Sequence, residues 1–217
     1  WDLSKHEVQE RARQLIRRTE PYCIIGSPPC TPFSPLQEIS RAKRDPCVMA
    51  EELRMGKAHI RFCLELYNIQ LRAKRHFIHE HPECSSAWAM PEMVEFLMRP
   101  EVGAVTLHMC AYGMEAEDEQ GKGLVKKPTR IVSSSKEVLS RVEARCSNEQ
   151  GGVQHRHVHL PPLTTPHRSD GIDVGVRPGV AHSETWGLHT KAFEALGSTT
   201  HVAKQRGQQM PCLLDAR

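Results

Sequence analysis

No two of the eight cysteines form a CxxC pair, and they recur at no regular interval. Cysteines at 23, 30, 47, 63, 84, 110, 146 and 212 are scattered in a way that argues against a disulfide framework. Reduced thiols are expected instead, which points to an intracellular protein of nucleus or cytoplasm. Also lacking is any apolar run near the ~18 residues of a membrane span, or the pattern of a signal peptide. No membrane partner is therefore expected. Aromatic residues are sparse at 5%, yet a hydrophobic content of 39% still suffices for one core. A formal charge of +3 permits a nucleic-acid partner but is too small to indicate one. No methionine opens the chain: Trp1 stands at what reads as an element boundary, so an N-terminally truncated piece is expected.

What is present is an alternation of helical and strand-like periods. Ser4 stands three residues before Glu7, a capping-box spacing, and Val8, Ala12, Leu15 and Ile16 then share one face; this predicts a helix over about 5–18. "YCIIG" at 22–26 reads as a short buried strand between Pro21 and Gly26. From Glu51 to Arg75 a stripe through Ile60, Cys63, Leu64, Tyr67 and Leu71, widened by Leu66 and Ile69, predicts a long, largely covered helix. "HFIHE" at 76–80, 104–109 and 129–134 read as strands, with helices over 91–98 and 136–146 and an acidic loop at 115–123. Such alternation predicts βαβ units and a parallel sheet, hence an α/β domain over 1–146. From 147 to 217 glycine, proline and histidine recur without a period. That stretch is expected to be an irregular tail, poorly ordered from about 160.

The most constrained stretch is "GSPPCTPFS" at 26–34, directly after the first strand. In an open α/β sheet, reactive groups collect beyond the carboxyl ends of strands. Pro28 and Pro29 fix two φ angles ahead of Cys30 and present its thiol on a stiff arm. Ser34, Pro35 and Gln37 fit N-cap, N1 and N3 of a following helical turn. A helix N-terminus beside the sulfur would favour the nucleophilic thiolate.

This stretch resembles the nucleophile motif Gly-Gly-Pro-Pro-Cys-Gln-Pro-Phe-Ser of the C5 cytosine methyltransferases. It matches at Gly26, Pro28, Pro29, Cys30, Pro32, Phe33 and Ser34 and departs at Ser27 and Thr31. "HEHP" supplies Glu80 and Pro82 where the family has Glu-Asn-Val or Glu-Asn-Pro, with His81 in place of Asn. "AYGM" (111–114) and "KKPTRIVSS" (126–134) resemble its Tyr-Gly turn and Arg-rich segment, with Arg130 the best match, although Gln-x-Arg-x-Arg itself is absent. "WDLS" resembles the segment whose Asp binds the cofactor's adenine. The resemblance covers about residues 2–146 and lacks the glycine-rich first βαβ unit. The run "SPPC…HEHP…KKPT" is also similar to arrangements in retroelement-type polyproteins.

The resemblance implies a partial Rossmann-like methyltransferase fold, S-adenosyl-L-methionine as cofactor, and DNA as partner. It implies Cys30, Glu80 and Arg130 as catalytic residues, and Asp2 and Pro29 as cofactor contacts. Weak binding of the cofactor is expected without the glycine-rich turn. The chemistry suits these residue types. A thiolate adding to carbon 6 of cytosine makes carbon 5 nucleophilic, an acid at ring nitrogen 3 neutralises the developing charge, and an Arg holds the polar edge. Two other readings stay open: an exocyclic-amino DNA methyltransferase, whose motif begins Ser-Pro-Pro, and a non-catalytic nucleic-acid-binding or mobile-element module. Arg41, Lys43 and Arg44 are well placed for phosphates or are merely solvated. Cys146, His155, His157 and His159 offer zinc ligands, while their H-x-H-x-H alternation equally suits a surface strand.

Overall fold

The computed structural model describes residues 2–158. His159 and the expected poorly ordered stretch 160–217 lie outside the described residues. The described chain is a mixed α/β fold. Its sheet contains β1 (Cys23–Gly26), β2 (His76–Pro82), β3 (Gly103–His108) and β6 (Pro128–Ser133), in the order β1-β2-β6-β3. A separate hairpin joins β4 (Glu115–Asp118) to β5 (Gly121–Leu124).

The helices are α1 (His6–Thr19), α2 (Leu36–Ser40), α3 (Pro46–Arg72), α4 (Pro91–Leu97) and α5 (Lys136–Val142). α1 buries Ala12 and Ile16, and Arg13 reaches across to α3 to hold Glu65 through two bonds of 2.6 and 2.8 Å. The expected capping box does not form. Lys5 is the N-cap and makes no side-chain capping bond, because the Ser4 hydroxyl donates to Asp2 instead.

α3 starts earlier than its apolar stripe suggests. Asp45 caps it by accepting from the Cys47 amide at 2.7 Å, and Pro46 stands at the first helical position, where a missing N–H costs nothing. Its stripe then buries Ile60, Cys63, Leu64, Leu66 and Tyr67 against the sheet. Tyr67 stacks on Phe77 of β2 with ring centroids 4.5 Å apart, and its hydroxyl meets His79 Nδ1 at 2.9 Å. Gln70 is wholly buried as well. It donates to the carbonyls of Pro21 and His76, tying the entries of β1 and β2 together.

β1 and β2 pair in parallel, as a long crossover helix between two strands requires. The expectation of an all-parallel sheet fails at β6, which runs antiparallel to both β2 and β3. The cause is the connection. Between β3 and β6 the chain forms the β4–β5 hairpin instead of a crossover helix, so it re-enters the sheet at the same end it left, with His108 in register with Pro128. The stretch read as an acidic loop is thus mostly paired backbone, turning at Glu119 and Gln120 with Gly121 at φ +99°.

Two apolar layers cover the sheet. One contains Ile24, Phe77 and Val132 with α1, α3 and α4, and the other contains Cys23, Ile78, Leu107 and Ile131 with Leu139 and Val142 of α5. No helix among the described residues is long and apolar enough to cross a membrane.

Candidate nucleophile site

The carboxyl ends of β1 and β2 are neighbours, with Gly26 in register with His79. The loop after β1 is held by its own side chains. Pro28 is buried, and residues Thr31–Phe33 form a single 3-10 turn in which the Phe33 amide donates to the Cys30 carbonyl at 3.0 Å. Phe33 is the anchor: it is buried against Gly56 of α3, where an added Cβ would stand 3.0 Å from the ring. Ser86 Oγ donates to the Phe33 carbonyl at 3.2 Å, and Ser34 Oγ accepts from the Leu36 amide at 3.3 Å, as its N-cap-like reading expects. The Pro, Phe and Ser positions flanking Cys30 therefore immobilise its loop.

Ser27 and Glu80 meet across the two strand ends, the hydroxyl donating to the carboxylate at 2.6 Å. Glu80 is buried, and its field reaches Cys30. Burial pushes the Cys30 thiol above its ordinary value; Lys127 works against that rise, while Glu80 and Cys84 add to it. The expected helix N-terminus does not produce a depressed thiol. α2 spans only five residues, and desolvation is the largest influence on the thiol.

His79 and His81 do not pair with Glu80. Successive strand residues point to opposite faces, and both rings lie on the α3 side, stacked at 5.8 Å between centroids. Burial lowers their pKa values to about 3 and about 4, so both are neutral near pH 7. Neither His79 nor His81 therefore places imidazolium charge beside Glu80 near pH 7.

Arg130 goes elsewhere. It is in register with His81 and Thr106, on the face opposite Glu80, and its guanidinium sits 5.0 Å over the Trp88 ring. Lys127, three residues earlier and just before β6, is the cation whose field reaches both Cys30 and His81. Sequence reading missed it, although it lies within the same "KKPTR" run. Arg44 is also committed, to Glu52 at 2.6 and 2.8 Å and to Gln37.

The cofactor contacts expected of Asp2 and Pro29 are not brought together. Asp2 Oδ1 accepts from the Ser4 amide at 3.1 Å and the Ser4 hydroxyl at 2.5 Å, and these bonds hold its carboxyl below the ordinary range. A cleft between α1 and α3 is lined by Leu3, Ser4, Gln9, Met55 and His59 among others, and by neither Asp2 nor Pro29. Pro29 itself is exposed.

Lys127→Ala is expected to raise the apparent pKa of Cys30 further, because it removes a charge that favours the thiolate. The pH profile of Cys30 alkylation by iodoacetamide, read peptide by peptide, should move to higher pH, with a few-fold slower reaction on its rising limb. An unmoved profile would show that Lys127 does not act on this thiol.

Comparison with protein-family models, with curated proteins and with solved structures finds no match to this chain. The class defined by fold and site is thus a mixed α/β protein with a cysteine and a carboxylate at adjacent parallel strand ends.

Proposed function

We propose that the chain carries the nucleophile and acid of a DNA cytosine-5 methyltransferase-type reaction, with Cys30 as nucleophile and Glu80 as acid. The observation that carries the reading is their placement. A rigid loop presents Cys30 beyond β1, and Ser27 fastens Glu80 at the end of the neighbouring parallel strand.

In this reading Cys30 adds to carbon 6 of a cytosine that has left the stack. The bond between carbons 5 and 6 gives its electron pair to the ring, and Glu80 delivers a proton to ring nitrogen 3. The Ser27 hydroxyl, already aimed at the carboxylate, stabilises the charge left on Glu80. Carbon 5 becomes the methyl acceptor. The carbon-5 proton passes to water as the thiolate leaves carbon 6, and ring nitrogen 3 returns its proton to Glu80, which restores the aromatic ring. Lys127 offsets part of the cost of ionising a half-buried thiol. The polar edge of the base, assigned to Arg130 by resemblance, falls to Lys127, the cation whose field reaches Cys30, because Arg130 lies over Trp88 on the face opposite Glu80. The methyl donor implied is S-adenosylmethionine. Asp2 is already engaged by Ser4 and shares no cleft with Pro29, so these two residues do not form a site for that group.

The test uses DNA containing 5-azacytosine. Nitrogen in place of carbon 5 draws electrons from carbon 6, so addition and proton uptake give a covalent adduct without a methyl donor. The chain should gain the mass of the oligonucleotide under denaturing conditions, and peptide mapping should place the link on Cys30. The exposed Cys47 and Cys84 serve as internal controls. No adduct, or one spread over the exposed cysteines, would refute the assignment.

A further inference from the structure

We propose that Cys110, Cys146, His155 and His157 bind one zinc ion as a closed, four-ligand structural site. One ligand atom from each lies within 4.8 Å of all the others. The four come from three separate parts of the chain. Cys110 lies in the turn Met109–Tyr112 that follows β3, and Cys146 follows α5. His155 and His157 lie two residues apart on a segment that runs beside β5. Only Cys146, His155 and His157 belonged to the sequence cluster. Cys110 supplies the fourth group, and His159 lies outside the described residues.

The distances fit a tetrahedron. With zinc–sulfur near 2.3 Å and zinc–nitrogen near 2.0–2.1 Å, the sulfur–nitrogen edge is about 3.6 Å. Cys146 Sγ stands 3.6 Å from His155 Nε2 and 3.4 Å from His157 Nε2. The two Nε2 atoms are 2.8 Å apart, shorter than the ~3.3 Å nitrogen–nitrogen edge. A His157 Nε2–H directed at the His155 Nε2 lone pair fits that approach. Metal binding would take His157 as the other tautomer, with its proton on Nδ1, and open the pair by about half an ångström.

Surrounding groups already orient the ligands. The Ser147 hydroxyl donates to the Val153 carbonyl at 2.6 Å, so toward His155 Nδ1, 3.2 Å away, it can only accept. The proton of His155 therefore sits on Nδ1, and its Nε2 lone pair faces the cluster. Asn148 clamps the backbone of the same residue, donating to its carbonyl at 2.8 Å and accepting from its amide at 3.0 Å. The Cys146 amide donates to His108 Nδ1 at 3.0 Å. Both thiols are buried, and two buried thiols facing two imidazole nitrogens suit zinc above the hard cations. Four protein ligands leave no open position, which makes the site structural, not catalytic.

The site also explains why residues 147–158 hold their place. This stretch was expected to begin an irregular tail, and its composition offers little to bury: Val153 is 84% exposed, and Val158 is its one buried hydrophobic residue. It is nevertheless fixed to the body. Leu124 donates to the Arg156 carbonyl at 2.9 Å, Val158 donates to Leu124 at 2.8 Å, and Arg156 pairs with Asp118. A metal would supply the anchoring that a sparse core cannot.

The experiment uses the full 217-residue chain. Elemental analysis should find one zinc per chain. Replacement by cobalt should give the intense ligand-field absorption of a tetrahedral site, with a sulfur-to-metal charge-transfer band. Cys110→Ser and Cys146→Ser should each weaken that band, and Cys47→Ser should leave it unchanged. Should those variants fail to fold, differential alkylation of the wild-type chain decides: Cys110 and Cys146 should resist iodoacetamide until a chelator is added, while Cys47 reacts throughout. Substoichiometric zinc, a cobalt spectrum without thiolate character, alkylation indifferent to the chelator, or a disulfide between Cys110 and Cys146 would overturn the proposal.

Discussion

Cys30→Ser is expected to abolish covalent capture of 5-azacytosine DNA, and Glu80→Gln to slow it by on the order of 10²–10⁴-fold. The two losses differ in kind. A serine hydroxyl is far less ionised than a thiol near neutral pH, and so cannot add to carbon 6 at a useful rate. Glutamine keeps an acceptor for the Ser27 hydroxyl, so the strand ends remain joined while the transferable proton is lost. Unfolding curves should therefore stay close to wild type for Glu80→Gln, and the defect should lie in the rate of adduct formation, not in DNA binding. Equal capture rates for wild type and Glu80→Gln would remove the acid role from Glu80. Capture by Cys30→Ser would remove the nucleophile.

A second large effect is expected on acidification. His79 and His81 are neutral in the folded chain, with pKa values lowered by burial to about 3 and about 4, whereas in the unfolded chain they titrate near the ordinary 6.5. Below pH 6.5 the unfolded state thus binds more protons than the folded one, and stability falls as pH falls until the folded values are reached. Above 6.5 the two residues contribute no pH dependence. Each unit of pH within the window costs about 1.4 kcal/mol per histidine, so the pair removes several kcal/mol, comparable with the ~5–15 kcal/mol of a whole domain. His59 and His108, also lowered by burial, act in the same direction.

Glu65 and Glu92 are held low by Arg13 and Arg61, and they lose their contribution only as pH falls through and below the ordinary carboxylate value of 4.5. Urea unfolding at pH 7 and pH 5, with a chelator present at both so that metal release adds nothing, therefore separates the histidines from these carboxylates. His81→Leu provides the control, because neither His81 ring nitrogen has a hydrogen-bond partner among the described residues. That substitution should leave stability at pH 7 equal or higher and reduce the loss at pH 5. Equal wild-type stability at the two pH values would contradict the neutral, buried state of these rings.

Much of the structure was legible residue by residue. The apolar stripe of α3, the strand before Cys30 and the Ser34 turn each depend on a few consecutive residues whose backbone preferences agree. The pairing of β1 with β2 followed too, because a long helix between two strands permits little else. The direction of β6 did not follow, since the hairpin that reverses the chain is polar and shows no apolar alternation. Which cation faces Cys30 depended on strand register, where a shift of one residue exchanges the faces; this separates Lys127 from Arg130.

The same division holds for the Cys/His cluster. Its sequence shows two histidines on one side of an extended segment, but the partnership of Cys146 with Cys110 arises only when the turn after β3 meets the chain after α5. Local conformation, set by the steric and capping chemistry of neighbouring residues, was readable from the sequence alone. Which distant side chains meet was decided by how the whole chain lowers its free energy by packing two apolar layers against one sheet.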